Sequence, residues 1–205
     1  MNTLTTDITK LIEKGIQNGQ SYQEFRELVS TLVAEGKTTG AEQGEDLVNY
    51  TLLNDRRMKR WDKTVKITEE AGAIFKKTTQ NLTWIVLTES WCGDAAHNIP
   101  VLQKIAELAP NIEMKVVLRD ENEALMDHFL TNGGRAIPKL VAYDTASKEV
   151  KYTWGPRPNE AAQMVNDYKA AHGKLDPEFK EDLQKWYNKN KGQAVIADFL
   201  ILLAQ

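Results

Sequence analysis

The chain has 205 residues, a formal charge of −3 and a single cysteine. That length buries a full core, either as one domain with extensions or as two small ones; the mild acidity gives no reason to expect nucleic acid, and a lone thiol excludes a disulfide-stapled scaffold and fits a reducing cytoplasm. Met1 to Asp7 lacks the basic start and apolar run of a secretory signal, and the longest apolar run, Phe199 to Ala204, is too short for a bilayer, so no membrane association is expected.

The N-terminal third reads as helical. Leu4, Ile8, Leu11, Ile12 and Ile16 recur at helix spacing until Asn18-Gly19. Ser21-Tyr22-Gln23-Glu24 is a capping box, in which serine and glutamate satisfy each other's free backbone N–H groups. Phe25, Leu28, Val29, Leu32 and Val33 then form an amphipathic stripe that ends at Gly36. After a polar link over 37–44, a longer helical stretch runs from Glu45 to Lys77 with a break near Thr68. Its candidate core residues are Leu47, Tyr50, Leu53, Met58, Trp61 and Val65. The basic run Arg56 to Arg60 on this stretch reads as a solvated helix face rather than a nucleic-acid contact. Residues 1–80 are thus expected to be a helical extension packed on a core that follows.

From residue 81 strands and helices alternate. Leu82–Thr88 is a strand, and Ala95–Ala109 a helix containing Pro100. Glu113–Leu118 is a strand and Glu121–Thr131 a helix, after which Gly133-Gly134 makes a turn. Lys139–Asp144 and Glu149–Trp154 are close enough in sequence for an antiparallel hairpin, and Asn159–Ala171 is a closing helix. The order predicts an α/β fold, a mixed central sheet flanked by helices, over residues 81–173. Residues 174–205 are expected to add a C-terminal helical extension. Its first helix starts at Asp176-Pro177 and carries Phe179, Leu183, Trp186 and Tyr187; Lys191-Gly192 breaks it, and Ala194–Ala204 is the last helix.

The only cysteine sits in Trp91-Cys92-Gly93-Asp94, at the turn from strand to helix. A helix N-terminus offers free N–H groups and partial positive charge, both of which favour thiolate, the form that attacks disulfides. Gly93 allows the tight turn. Asp94 complements the helix N-terminus, yet its charge beside the sulfur raises the thiol pKa. Trp91 is expected beside the thiol, either as an exposed docking aromatic or as a packing residue. His97 reads as an exposed helix histidine. His97, His128 and His172 have no metal-ligand spacing with Cys92, so no metal is expected.

These landmarks resemble the thioredoxin superfamily. Its motif is Trp-Cys-Gly-Pro-Cys with a helix proline eight residues after the first cysteine, and Pro100 lies eight residues after Cys92. Its cis-proline, preceded by an aliphatic residue and opening a strand, is matched by Ile137-Pro138 before Lys139, and its late glycine by Gly155. The chain departs from the pattern in three places: Asp94 replaces proline, Ala95 replaces the resolving cysteine, and Val86 stands where the family keeps a buried acid. The family's usual first strand is not evident. The resemblance implies that Ile137 and Pro138 face the thiol across a shallow exposed groove, where the backbone before the cis-proline pairs with an extended partner. Arg135 and Lys139 flank this element and read as solvated.

Two functions follow from the resemblance. In the leading one, Cys92 acts as a monothiol, exchanging with a protein disulfide or small-thiol client, much as monothiol glutaredoxins do; no cofactor is tightly bound, and a low-molecular-weight thiol serves as co-substrate. In the alternative, the protein is a redox-inactive adaptor that binds an extended peptide or partner protein near Pro138. A third possibility, an iron–sulfur cluster shared across a dimer, requires an external thiol beside Cys92.

Overall fold

A computed structural model describes residues 3–204 of the chain, with side chains from Ile8 onward; Leu4 in the first stripe lies outside the described side chains. Four helices come first: α1 (Thr3–Asn18), α2 (Tyr22–Glu35), α3 (Glu45–Thr64) and α4 (Glu69–Lys76). The Ser21–Glu24 capping box is formed in full, and α2 ends on Gly36 in the left-handed conformation. Thr68 is the N-cap that divides the long helical stretch, its hydroxyl accepting the Ala71 N–H.

A four-stranded sheet follows, made of β1 (Leu82–Thr88), β2 (Ile112–Leu118), β3 (Lys139–Asp144) and β4 (Glu149–Trp154) in the order β2-β1-β3-β4. β1 is buried along its whole length, which is why its sequence is a run of apolar and β-branched residues rather than an alternation. It pairs parallel with β2 (Val86 opposite Val116) and antiparallel with β3 (Val86 opposite Leu140). β3 and β4 form the hairpin, with a bulge at Ala142/Tyr143. Helix α5 (Gly93–Leu108) leaves β1 through the cysteine turn. The helices α6 (Glu123–Met126), α7 (Asn159–His172), α8 (Pro177–Asn190) and α9 (Gln193–Leu202) complete the chain. The fold is thioredoxin-like α/β with helices at both ends.

Two expectations change. The helix at 121–131 is only four residues long. Beyond Met126 the backbone tightens into i→i+3 bonds (His128 to Leu125, Phe129 to Met126), and left-handed Asn132 and Gly133 then reverse it. On α3, Tyr50 and Leu53 are exposed, and Thr51, Asn54, Asp55, Met58 and Trp61 face inward. The inner face of α3 is therefore partly polar, and Asp55 is neutralised there by Arg26 at 3.1 Å and Lys59 at 2.7 Å. In place of an additional first strand, Gln20 alone bridges the edge of β2: its N–H donates to the Val116 carbonyl at 2.9 Å, and the Val116 N–H returns the bond at 2.7 Å.

Two apolar clusters hold the molecule. The larger joins the sheet and α5 to Ile12, Phe25, Val29, Met58 and Trp61 of the N-terminal helices and to Val195, Ile196 and Phe199 of α9. The smaller is confined to α7 and α8, where Ala161 and Val165 pack on Phe179, Leu183 and Tyr187.

Candidate thiol site

Cys92 is the N-cap residue of α5, with extended backbone that turns β1 into the helix. The turn is fixed from behind. Ser90 accepts the Thr39 N–H at 3.0 Å through its hydroxyl, which also bonds the Thr38 and Thr51 hydroxyls at 3.0 and 2.9 Å. The Ser90 N–H donates to Thr39 Oγ1 at 2.9 Å, and the Ser90 carbonyl accepts Asn54 Nδ2–H at 2.9 Å. All of these residues are buried, and each polar group is satisfied by another segment of the chain. The Asp120 backbone N–H donates to Glu89 Oε1 at 2.8 Å, which ties the turn to the end of β2.

The opposite side of the site is the start of β3. The Ile137–Pro138 peptide bond is cis. The Cys92 thiol donates to the Ile137 carbonyl at 3.2 Å, so the two landmarks lie against each other. Gly155 lets a second segment pass close to Pro138. It has φ +105°, and a Cβ there would stand 2.3 Å from the Pro138 carbonyl oxygen, so no other residue fits where the chain leaving β4 crosses the start of β3.

The residues expected to line a shallow exposed groove are themselves not exposed. Cys92 is 7% exposed, and Ile137 and Pro138 are buried. Burial pushes the Cys92 thiol up to about 12, and the Asp94 charge adds to the rise. The Ala95 and Asp94 backbone N–H groups and the Arg157 guanidinium pull the other way, so the helix N-terminus acts on the sulfur as its position requires, but burial prevails. Trp91 and Gly93 are half-buried; the Arg119 guanidinium lies over the Trp91 ring at 5.0 Å, and a Cβ on Gly93 would meet Arg57 Nη1 at 3.5 Å.

Asp94 is no ordinary helix-start acid. Its Oδ2 is 2.6 Å from Arg157 Nη2, and its Oδ1 accepts the Tyr187 hydroxyl at 2.8 Å. Burial pushes the Asp94 carboxyl up, while Arg157, Tyr187 and Arg57 restrain the rise. His97 is buried rather than exposed. Its Nδ1 accepts Trp61 Nε1–H at 2.9 Å, Nε2 lies 2.7 Å from Gln184 Oε1, and its ring stacks on Tyr187 at 4.4 Å between centroids. Since Nδ1 is an acceptor, the proton sits on Nε2 and the ring is neutral. Burial holds its pKa down at about 3, so it brings no positive charge to the thiol. Arg135 is paired with Glu123 and Asp127, and Lys139 is buried with its ammonium on Thr131 Oγ1 at 3.2 Å; neither is simply solvated.

Sequence reasoning places none of Arg57, Arg157 and Tyr187 at the site. Arg57 belongs to the basic run expected to be solvated, yet it is part-buried and donates to Asn54 Oδ1. Arg157 had one available signal, since it stands between Pro156 and Pro158 just after the Gly155 landmark. Tyr187 had none, because its spacing on α8 is that of an apolar residue. Among the described residues no group of three or more His, Cys, Asp or Glu is placed to hold a metal, and no helix is long and apolar enough to cross a membrane.

A parallel–antiparallel sheet, a cysteine at the strand-to-helix turn and a cis-proline against the sulfur define a thioredoxin-like protein. The family model described as Thioredoxin matches residues 40–169, and the chain belongs to that family. Its range takes in α3 and α4 as well as the sheet. Among solved structures, the chain is similar to a protein of unknown function from Pseudomonas aeruginosa, with a TM-score of 0.60 and 16% identity over 92% of this chain and 93% of that one. It is also similar to an HIV epitope-scaffold, with a TM-score of 0.55 and 18% identity over 90% of this chain and 98% of that one. At these identities the likeness is one of fold. No curated protein matches the chain.

Proposed function

We propose that this protein is a thioredoxin-like binding protein whose corner at Trp91, Cys92, Ile137 and Pro138 engages an extended segment of a partner protein in the cytoplasm, with Cys92 kept as a thiol. One observation carries this reading: the Cys92 sulfur is buried and donates its proton to the Ile137 carbonyl at 3.2 Å. A thiol pushed up to about 12 has a negligible thiolate fraction at neutral pH, and thiolate is the nucleophile. With Ala95 in place of a resolving cysteine, the chain has no internal route to release a bound disulfide partner. The accessible rim is the half-buried Trp91, under the Arg119 guanidinium, and the exposed Gly133 to Arg135 stretch beside Ile137. The Gly133 to Arg135 stretch is a turn closed by the Thr131–Gly134 bonds, so docking at this rim relies on the aromatic ring.

A second reading rests on the Ala95 and Asp94 N–H groups directed at the sulfur. In it, Cys92 thiolate attacks a client disulfide, a Cys92–client disulfide forms, and the other client sulfur leaves as a thiolate that takes up the proton Cys92 gave up. The thiolate of a low-molecular-weight thiol then attacks the client sulfur, leaving a client–small-thiol disulfide and regenerating Cys92.

The pH dependence of iodoacetamide alkylation separates the two. The binding reading expects no reactive thiolate at neutral pH and a midpoint far above the free-thiol value of about 8.5. A midpoint below that value, with a mixed disulfide formed from an oxidised low-molecular-weight disulfide, would establish the monothiol reading instead.

A further inference from the structure

We infer that the cleft between the end of α3 and the α8–α9 turn is a binding site for a small molecule carrying two or more phosphates. The cleft holds about 790 Å³, within the range of roughly 300–1,000 Å³ typical of small-molecule sites. One wall presents Arg60, Lys63 and Lys66, and the other Lys189 and Lys191; no aspartate or glutamate lines it. All five cations are exposed, and among the described residues none is within ion-pair distance of a carboxylate. The chain as a whole carries −3, so this is a local concentration of positive charge and not general basicity.

The walls are also held to each other. Arg60 Nη2 donates to Asn188 Oδ1 at 2.6 Å, and Gln193 Nε2 donates to the Lys66 carbonyl at 3.2 Å. The turn that carries Lys191 is fixed by left-handed Gly192, where a Cβ would meet Val101 Cγ2 at 2.7 Å. Five exposed cations therefore share one cleft whose walls are joined by bonds that do not neutralise them. A single carboxylate would leave most of the five cations uncompensated, whereas a diphosphate matches them. Trp61 is buried, so the cleft has no exposed aromatic on which successive bases of a nucleic acid would stack.

The test is calorimetric titration of the full chain with inorganic pyrophosphate and with ADP, at low and at physiological salt. Saturable one-to-one binding is expected, weaker at higher salt. Lys63→Glu with Lys66→Glu should weaken it at least tenfold, as should Lys189→Glu on the other wall, while Lys180→Glu, an exposed change elsewhere on α8, should leave it unchanged. Equal affinity for the two probes assigns the site to the diphosphate itself, and ADP binding tenfold tighter assigns it to a nucleoside-borne diphosphate. No saturable binding of either probe, equal weakening by Lys180→Glu, or a single-stranded oligonucleotide displacing both overturns the inference. Cys92→Ser should bind both probes as the parent does, so this result stands or falls apart from the role of the thiol.

Discussion

The N-terminal helices and the α7–α8 pair both flank the thiol corner, but they are attached in different ways. Phe25, Val29, Met58 and Trp61 share one apolar core with the sheet, whereas α7 and α8 bury their large side chains mainly against each other. What α8 offers the rest of the molecule is chiefly polar and aromatic: Tyr187 to Asp94, Gln184 to His97, Asn188 to Arg60. α9 belongs with the first group, since Phe199 packs on Trp84 and Trp154 at 4.7 and 5.6 Å. The contrast separates two roles. The N-terminal helices build the corner, and α8 covers it.

The strongest test of this contrast is a pair of core truncations. Trp61→Ala is expected to cost about 3–5 kcal/mol and to lower protection throughout the molecule, β1 included. Leu183→Ala is expected to cost about 2 kcal/mol, with hydrogen-exchange protection lost in α7 and α8 and retained in β1. Equal loss in β1 for both variants would make the two regions one cooperative unit.

A pH experiment probes the joint between the regions. The folded pKa of His97, about 3, lies below its unfolded value near 6.5. The unfolded chain therefore takes up the proton first. Stability from the neutral ring is complete above pH 6.5 and is lost as pH falls toward 3, by up to a few kcal/mol. Urea unfolding at several pH values should show this slope, and His97→Gln should flatten it. An unchanged slope would mean that the ring is not held neutral between Trp61 and Gln184.

The smallest effect is expected from Tyr187→Phe. It removes the hydroxyl's bond to Asp94 and the weaker one it accepts from Asn98 Nδ2–H, at a cost of about 1 kcal/mol, and should speed amide exchange in α8 while leaving α3 unchanged. No change in α8 would show that its docking does not depend on that hydroxyl.

The fold was legible because its signals are local. β1, β3 and β4 fall where the apolar and β-branched runs place them, and the Ser21–Glu24 box and the Thr68 break are short-range capping chemistry. The surroundings of the site were much less legible because its partners are distant in the chain. Asp94 reads as a helix-start acid until Tyr187, 93 residues later, is brought onto it. Periodicity misled on α3, where Tyr50 and Leu53 occupy apolar spacings but the face that meets Ser90 is made of Thr51 and Asn54. A period of 3.6 shows that a helix has two faces; it does not show that the inner one must be apolar.

The hydroxyl cluster around Ser90 also bears on synthesis. A chain made from its N-terminus presents Thr38, Thr39, Thr51 and Asn54 before Ser90, so the groups that complete the cysteine turn are already made when it emerges. The corner is complete only once Ile137 and Pro138 are made, and Tyr187 follows Pro138 by 49 residues, which at about 5–20 residues per second is an interval of roughly 2–10 s. For that time the nascent chain carries a supported Cys92 turn without the helix that covers it, and a co-translational partner would meet the corner in its most open form.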